Sequence, residues 1–171
     1  MTPNPFSLSG RTAVVTGGAS GLGLAITGCL AAAGAAVVAV GTRPPEECTD
    51  ALASFGKNVE YRRFNGTDTA GAQAFIDGVA ADHGPVTILV NNAGIINKAA
   101  IPDLDVAAWR ALMEVNLTGP AICSKHASQV MKEHNWGRII TVSSVQAYLA
   151  NETYSAYAAS KAALSPLTPL W

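Results

Sequence analysis

The chain has 171 residues, 49% of them apolar and only 13% charged, which supports one domain with a packed core and excludes a disordered chain. Eleven Lys and Arg against twelve Asp and Glu leave a formal charge of −1, so nothing electrostatic points to nucleic acid or an anionic membrane as partner. Cys29, Cys48 and Cys123 form no C-x-x-C pair, His83, His126 and His134 lack metal-ligand spacing, and "MTPNPFSLSGR" holds no apolar signal segment, so a metal-free cytoplasmic protein with reduced thiols is expected.

The first strand is expected at "TAVVT", residues 12–16, and it runs into "TGGASGLG" at 16–23 before a helix over 21–33. Between Thr12 and Thr42 no residue is charged, but seven glycines interrupt the run. A membrane span would be richer in Leu, Ile and Phe, so a buried strand, a turn and an Ala-rich helix fit better. Gly17, Gly21 and Gly23 allow a tight turn, positive φ and close approach of a phosphate to the backbone. The segment Thr16, Gly17, Ser20, Gly21, Leu22 and Gly23 then presents helix-start amides to a pyrophosphate, with the helix dipole favouring its charge.

A second strand, "AVVAV" at 36–40, ends in "VGTRPPEE". An acid at this point binds the 2′-hydroxyl of NAD, whereas an arginine accommodates the phosphate of NADP. Gly41 and Thr42 stand where the acid is expected and Arg43 follows, which favours NADP and leaves NAD open; Arg43 is either a phosphate partner or a solvated loop residue. Helix-like segments at about 44–55 and 69–83 flank a third strand, "VEYRRF" at 59–64. A fourth strand, "VTILV" at 86–90, leads into "NNAG" at 91–94. A long helical stretch over about 105–134 carries Gly119-Pro120 in its middle, where a kink or split is expected. The fifth strand is "RIITVS" at 138–143, and a last helix is expected over 154–165. Alternating strands and helices predict an α/β fold: one doubly wound parallel sheet, a Rossmann-type three-layer domain occupying 1–171.

Tyr157 precedes Lys161 by four positions, so both share a helix face. A free phenol is a poor base at neutral pH, and a nearby cation favours its ionised form. Hydride transfer to or from a carbonyl carbon needs such a proton carrier at the oxygen. Together with the glycine turn, "NNAG", "VNLTG" at 115–119, "SS" at 143–144 and the Tyr–Lys pair, the chain resembles the short-chain dehydrogenase/reductase family over residues 10 to about 165. The resemblance implies that Tyr157 is the acid/base and that Ser144 hydrogen-bonds the substrate oxygen. It implies that Lys161 tunes the phenol and holds the nicotinamide ribose, and that Asn116 anchors a proton relay. By the same resemblance Asn91, Ala93 and Gly94 support the cofactor, and Asn65 stands where the family often places an adenine-side Asp. Tyr154 has Ala158 four positions on, so it faces the substrate cleft or packs.

The wording of "NNAGIIN" and "NETYSAYAASK" is similar to the gluconate 5-dehydrogenase and deoxygluconate dehydrogenase branch. Gln146 and Tyr154 join Ser144 as expected substrate contacts, and a ketoacyl or general carbonyl reductase remains the competing reading. Family members continue past the tyrosine helix with further strands and a lid, whereas Pro166 and Pro169 here are expected to end that helix. The expectation is therefore a foreshortened chain with an exposed fifth-strand edge, association into a homo-oligomer and weak turnover. A dinucleotide-binding remnant without catalysis is the alternative.

Overall fold

Runs of Val, Ile and Thr pair into one sheet because such side chains pack well on a pleated surface buried from both sides. In the computed structural model, which describes residues 4–149 and 152–168, the strands are β1 (Thr12–Thr16), β2 (Ala36–Gly41), β3 (Val59–Arg63), β4 (Val86–Asn91) and β5 (Arg138–Thr141). They lie in the order β3-β2-β1-β4-β5, and every pair is parallel. The expected doubly wound α/β sheet is therefore present. The chain reverses direction along the sheet between β1 and β4, and that reversal opens a crevice at their carboxyl ends.

The helices are α1 (Gly21–Ala32), α2 (Thr49–Ala53), α3 (Ala72–His83), α4 (Val106–Met113), α5 (Gly119–Glu133) and α6 (Ser155–Leu167). On one face Val14, Val38 and Leu89 pack against Ile76 and Val79 of α3 and Ala127 and Met131 of α5. On the other, Val15, Val37 and Val90 pack with Ala31 of α1, while Leu52 of α2 meets Ala39 and Cys48. Burial of β1 and β4 on both faces explains their unbroken apolar runs.

Three expected boundaries are corrected. The segment at 44–55 is a 3₁₀ turn (Pro45–Glu47) followed by the short α2, because Cys48 N bonds back to Pro45 O at 2.9 Å. The stretch over 105–134 stays helical through Gly119-Pro120, and the expected split takes the form of a change of helix type at that point. A π-helical turn, Glu114–Thr118, joins α4 to α5 directly before Gly119-Pro120, and this widened turn accommodates the missing N–H of Pro120. Pro166 lies inside α6 and does not end it; the helix runs to Leu167, so the lost bond falls in the final turn, with little helix beyond it to disrupt. Pro169 is outside the described residues. Among the described residues β5 pairs only with β4, and Ile140 is 49% exposed. No helix among the described residues is long and apolar enough to cross a membrane.

Candidate active site and cofactor cleft

The glycine turn is shaped by two different demands. Gly17 and Gly21 adopt φ of 65° and 51°, a region that glycine enters without a Cβ penalty. Gly23 does not have positive φ, contrary to the sequence expectation; a Cβ there would collide with the carbonyl oxygen of Gly17. Its role is close packing of helix on turn. Thr27 Oγ1 donates to Gly18 O at 2.9 Å and pins the turn from inside α1. Ser20 is the N-cap of α1 but makes no side-chain cap bond, so its hydroxyl is free for a ligand at the helix start. Leu22 is 60% exposed and contributes its backbone position, not a packed side chain.

Thr16 locks this turn to β4. Its Oγ1 donates to Val90 O at 3.3 Å and accepts from the amides of Asn92 and Ala93, both at 3.0 Å. Asn92 Nδ2 returns a bond of 2.9 Å to Thr16 O. Asn92 is thus a brace between the central strands, with a partner 76 residues away in sequence. Asn91 sits behind it, 2% exposed, and donates from Nδ2 to Ser124 Oγ at 3.0 Å.

These elements wall a cavity of about 300 Å³. Thr16, Gly17 and Ser20 line one side, Thr42, Arg43 and Asn65 a second, and Asn91, Ala93 and Gly94 the floor. Asn65 spends its Oδ1 on Thr67, accepting from N at 3.1 Å and Oγ1 at 2.9 Å; its amide nitrogen remains to donate. A dinucleotide fits the cradle on the evidence of its glycines, since side chains at Gly17, Gly23 or Gly94 would fill it or the wall behind it.

Gly94 also connects the cleft to the expected catalytic residues. A Cβ on it would lie 3.3 Å from Asn116 Oδ1 and 3.5 Å from Lys161 Nζ. Asn116 is fully buried in the π turn. Its Oδ1 accepts from Ile95 N at 2.8 Å and its Nδ2 donates to Ile95 O at 2.9 Å, a two-way clamp on the loop after β4. The same Nδ2 reaches Ser160 Oγ at 3.2 Å, and Ser160 in turn donates to Tyr157 O at 2.7 Å. The extra residue of a π turn is what directs this amide inward between three elements. Ser160, fully buried, is a positioning residue that its exposed-looking sequence neighbourhood, "AASK", conceals.

Lys161 is 4% exposed, and its ammonium donates to Val142 O at 2.8 Å while lying 5.9 Å from the Tyr157 ring centroid. Burial pushes its ammonium below the ordinary lysine range. Ser144 caps the 3₁₀ turn Val145–Ala147 by accepting from Gln146 N at 3.2 Å; among the described residues its hydroxyl proton is uncommitted and free to donate. Gln146 Oε1 is buried without a partner among the described residues. Tyr154 packs its ring against Tyr157, centroids 6.1 Å apart at 64°, and Lys98 Nζ sits 5.2 Å from the Tyr154 centroid. Of the two expectations for Tyr154, the structure shows the packing, against Tyr157. No group of His, Cys, Asp and Glu among the described residues is placed to hold a metal.

The lowered proton affinity of Lys161 predicts a pH dependence of stability. A native state that releases this proton earlier than the unfolded chain binds fewer protons between the lowered native pKa and the unfolded value near 10.4, so stability rises with pH in that window. Below the window the buried charge costs stability, and above it the contribution is flat. Denaturant midpoints measured from pH 7 to 10.5 should therefore climb in the wild type relative to Lys161→Met. Parallel curves would show that the ammonium carries no burial cost.

A family model described as "short chain dehydrogenase" matches residues 11–170. The chain is 42% identical over 161 residues to cis-4-hydroxycyclohexanecarboxylate dehydrogenase of Sinomonas cyclohexanicum, covering 92% of this chain and 64% of that protein. It is 34% identical to 2-dehydro-3-deoxy-D-gluconate 5-dehydrogenase of Formosa agariphila, covering 98% and 65%. Among solved structures, a gluconate 5-dehydrogenase from Burkholderia cenocepacia in complex with NADP and tartrate superposes with a TM-score of 0.88 at 37% identity, covering 95% of this chain and 65% of that one. The chain thus spans just under two thirds of the length of these relatives.

Proposed function

Because the chain belongs to the short-chain dehydrogenase family, we propose that it binds NADP in preference to NAD and serves hydride transfer between that cofactor and a secondary alcohol or ketone. The observation that carries this reading is the buried Lys161 ammonium beside Tyr157, held on Val142 O next to Gly94 at the edge of the glycine cradle. The nicotinamide, when bound, supplies or accepts the hydride. Tyr157 donates the proton to the carbonyl oxygen in reduction and takes it back in oxidation, with the Lys161 ammonium 5.9 Å from its ring centroid. Ser144 donates its uncommitted hydroxyl proton to the same oxygen and orients it. Lys161 keeps two N–H donors beyond the one given to Val142 O, enough to hold a ribose hydroxyl and the phenol oxygen. Asn116 fixes the loop at Ile95 and, through Ser160, the start of α6.

For substrate we favour a hydroxy or oxo acid of the sugar-acid type. Lys98 brings positive charge to the Tyr154 side of the site, Gln146 and Tyr154 stand beside Ser144 and Tyr157, and two relatives are named for carboxylate substrates. A general carbonyl or 3-oxoacyl reductase, also represented among the relatives, is the competing reading, and association of copies belongs to the same proposal. Cofactor fluorescence tests it. NADPH should bind, and adding an oxo acid should oxidise it faster than adding a neutral ketone of equal size. Binding without oxidation by any ketone would reduce the protein to a dinucleotide-binding remnant. No preference for the acid would favour the general reductase.

A further inference from the structure

The 2′ end of the cleft is built from two strands, although the sequence points to only one of them. At the end of β2, Arg43 donates from Nη2 to Ala19 O in the glycine turn at 3.0 Å. From β3, Arg63 donates from Nε to Thr42 O at 3.0 Å. Tyr61, also on β3, donates its hydroxyl to Arg43 O at 2.9 Å. Two side chains of β3 thus converge on the backbone of residues 42 and 43, while Arg43 ties the same loop to the glycine turn.

Their charge is not neutralised. Arg62, between Tyr61 and Arg63 but on the opposite face of the strand, is consumed by Glu60 at 2.7 Å and Asp82 at 2.6 Å. Neither Arg43 nor Arg63 forms an ion pair among the described residues. Each is anchored by one N–H on a carbonyl, which leaves most of its planar donor fork available to a dianion. Tyr61 is held as a neutral phenol, its pKa pushed up to about 12 chiefly by burial and also by Cys48, against the lowering influence of both arginines.

Tyr61 also controls what residue 41 can be. A Cβ at Gly41 would lie 3.0 Å from the Tyr61 hydroxyl oxygen. The rest of an acidic side chain would have to pass through that hydroxyl or displace it. The residue type that reads the 2′-hydroxyl of NAD is therefore crowded by a neighbour twenty positions away in sequence, whose hydroxyl must shift to admit it.

We propose that Arg63 and Tyr61 of β3 complete, with Arg43, a phosphate socket that selects NADPH over NADH, Arg63 as a second cation and Tyr61 as the group that crowds an acid at position 41. The proposal rests on the reading that the cavity takes a dinucleotide. It differs from a loop-only readout in requiring the edge strand of the sheet.

Dissociation constants for NADPH and NADH, from cofactor fluorescence at two salt concentrations, test it without need of turnover. Arg63→Gln retains an N–H donor for Thr42 O and removes only the charge. It should weaken NADPH about tenfold, as loss of one charge-assisted contact implies, leave NADH within about twofold, and flatten the salt dependence of NADPH. Arg63→Lys should fall between. Equal loss for both cofactors would assign Arg63 a merely structural part, and no loss would remove it from the site; either result overturns the proposal. Gly41→Asp alone should not improve NADH, and a tenfold gain would overturn the part given to Tyr61. A wild type that binds neither cofactor overturns the dinucleotide reading and this proposal together, whereas binding of both with an unchanged ratio in Arg63→Gln overturns this proposal only.

Discussion

Tyr157→Phe should lower ketone-dependent NADPH oxidation by at least about 10²-fold, the usual scale for a lost general acid–base group, with NADPH affinity nearly unchanged. The substitution removes one oxygen and keeps the ring that packs on Tyr154 and lies 5.9 Å from Lys161 Nζ. Folding of α6 does not depend on that oxygen, because Ser160 ties to the Tyr157 backbone carbonyl and not to its hydroxyl. A loss confined to kcat therefore reports on proton transfer. Turnover that survives the change would move the acid to another group, with Ser144 the first to examine. The rate and the affinity must both be measured, because only their separation distinguishes chemistry from cofactor loss.

Gly23→Ala should abolish cofactor binding and destabilise the fold by roughly 1–3 kcal/mol, the scale of an overpacked interior site. The added methyl has no flexible neighbour to move. It meets the carbonyl of Gly17 and the amide of Asn92, and Asn92 is itself fixed on Thr16 O at 2.9 Å. Relief would require α1 to withdraw from the turn, and the amides at its start would withdraw with it. Gly21→Ala is the control. A Cβ there meets nothing within 4 Å, so its cost comes only from φ of 51°, about 1 kcal/mol. NADPH titration and urea midpoints for the pair check the ranking. If Gly21→Ala proves the more damaging, backbone freedom and not close packing governs the turn.

The pair also illustrates how differently two glycines in one motif are decided. Spacing placed Gly17, Gly21 and Gly23 in a phosphate turn, but it assigned all three the same reason. Only coordinates separate a residue that needs left-handed backbone from one that needs an absent Cβ. Tyr157 and Lys161 were legible because a helix turns 3.6 residues at a time, and that period makes i and i+4 neighbours in any context. Asn116 was named by motif alone. Its clamp on Ile95 and its link to Ser160 depend on a π turn that helical periodicity does not announce.

The order of strands and helices, the glycine turn and the Tyr–Lys pair follow from local pattern, since hydrophobic period, backbone permissiveness and helical spacing act over a few residues. The tertiary structure alone decided the rest. It brought Arg63 and Tyr61 to Arg43, set Asn92 on Thr16, carried α6 through Pro166 and buried the charge of Lys161 against Val142 O. Apart from Pro166, each of these joins segments 18 to 76 residues apart along the chain, beyond the reach of local pattern.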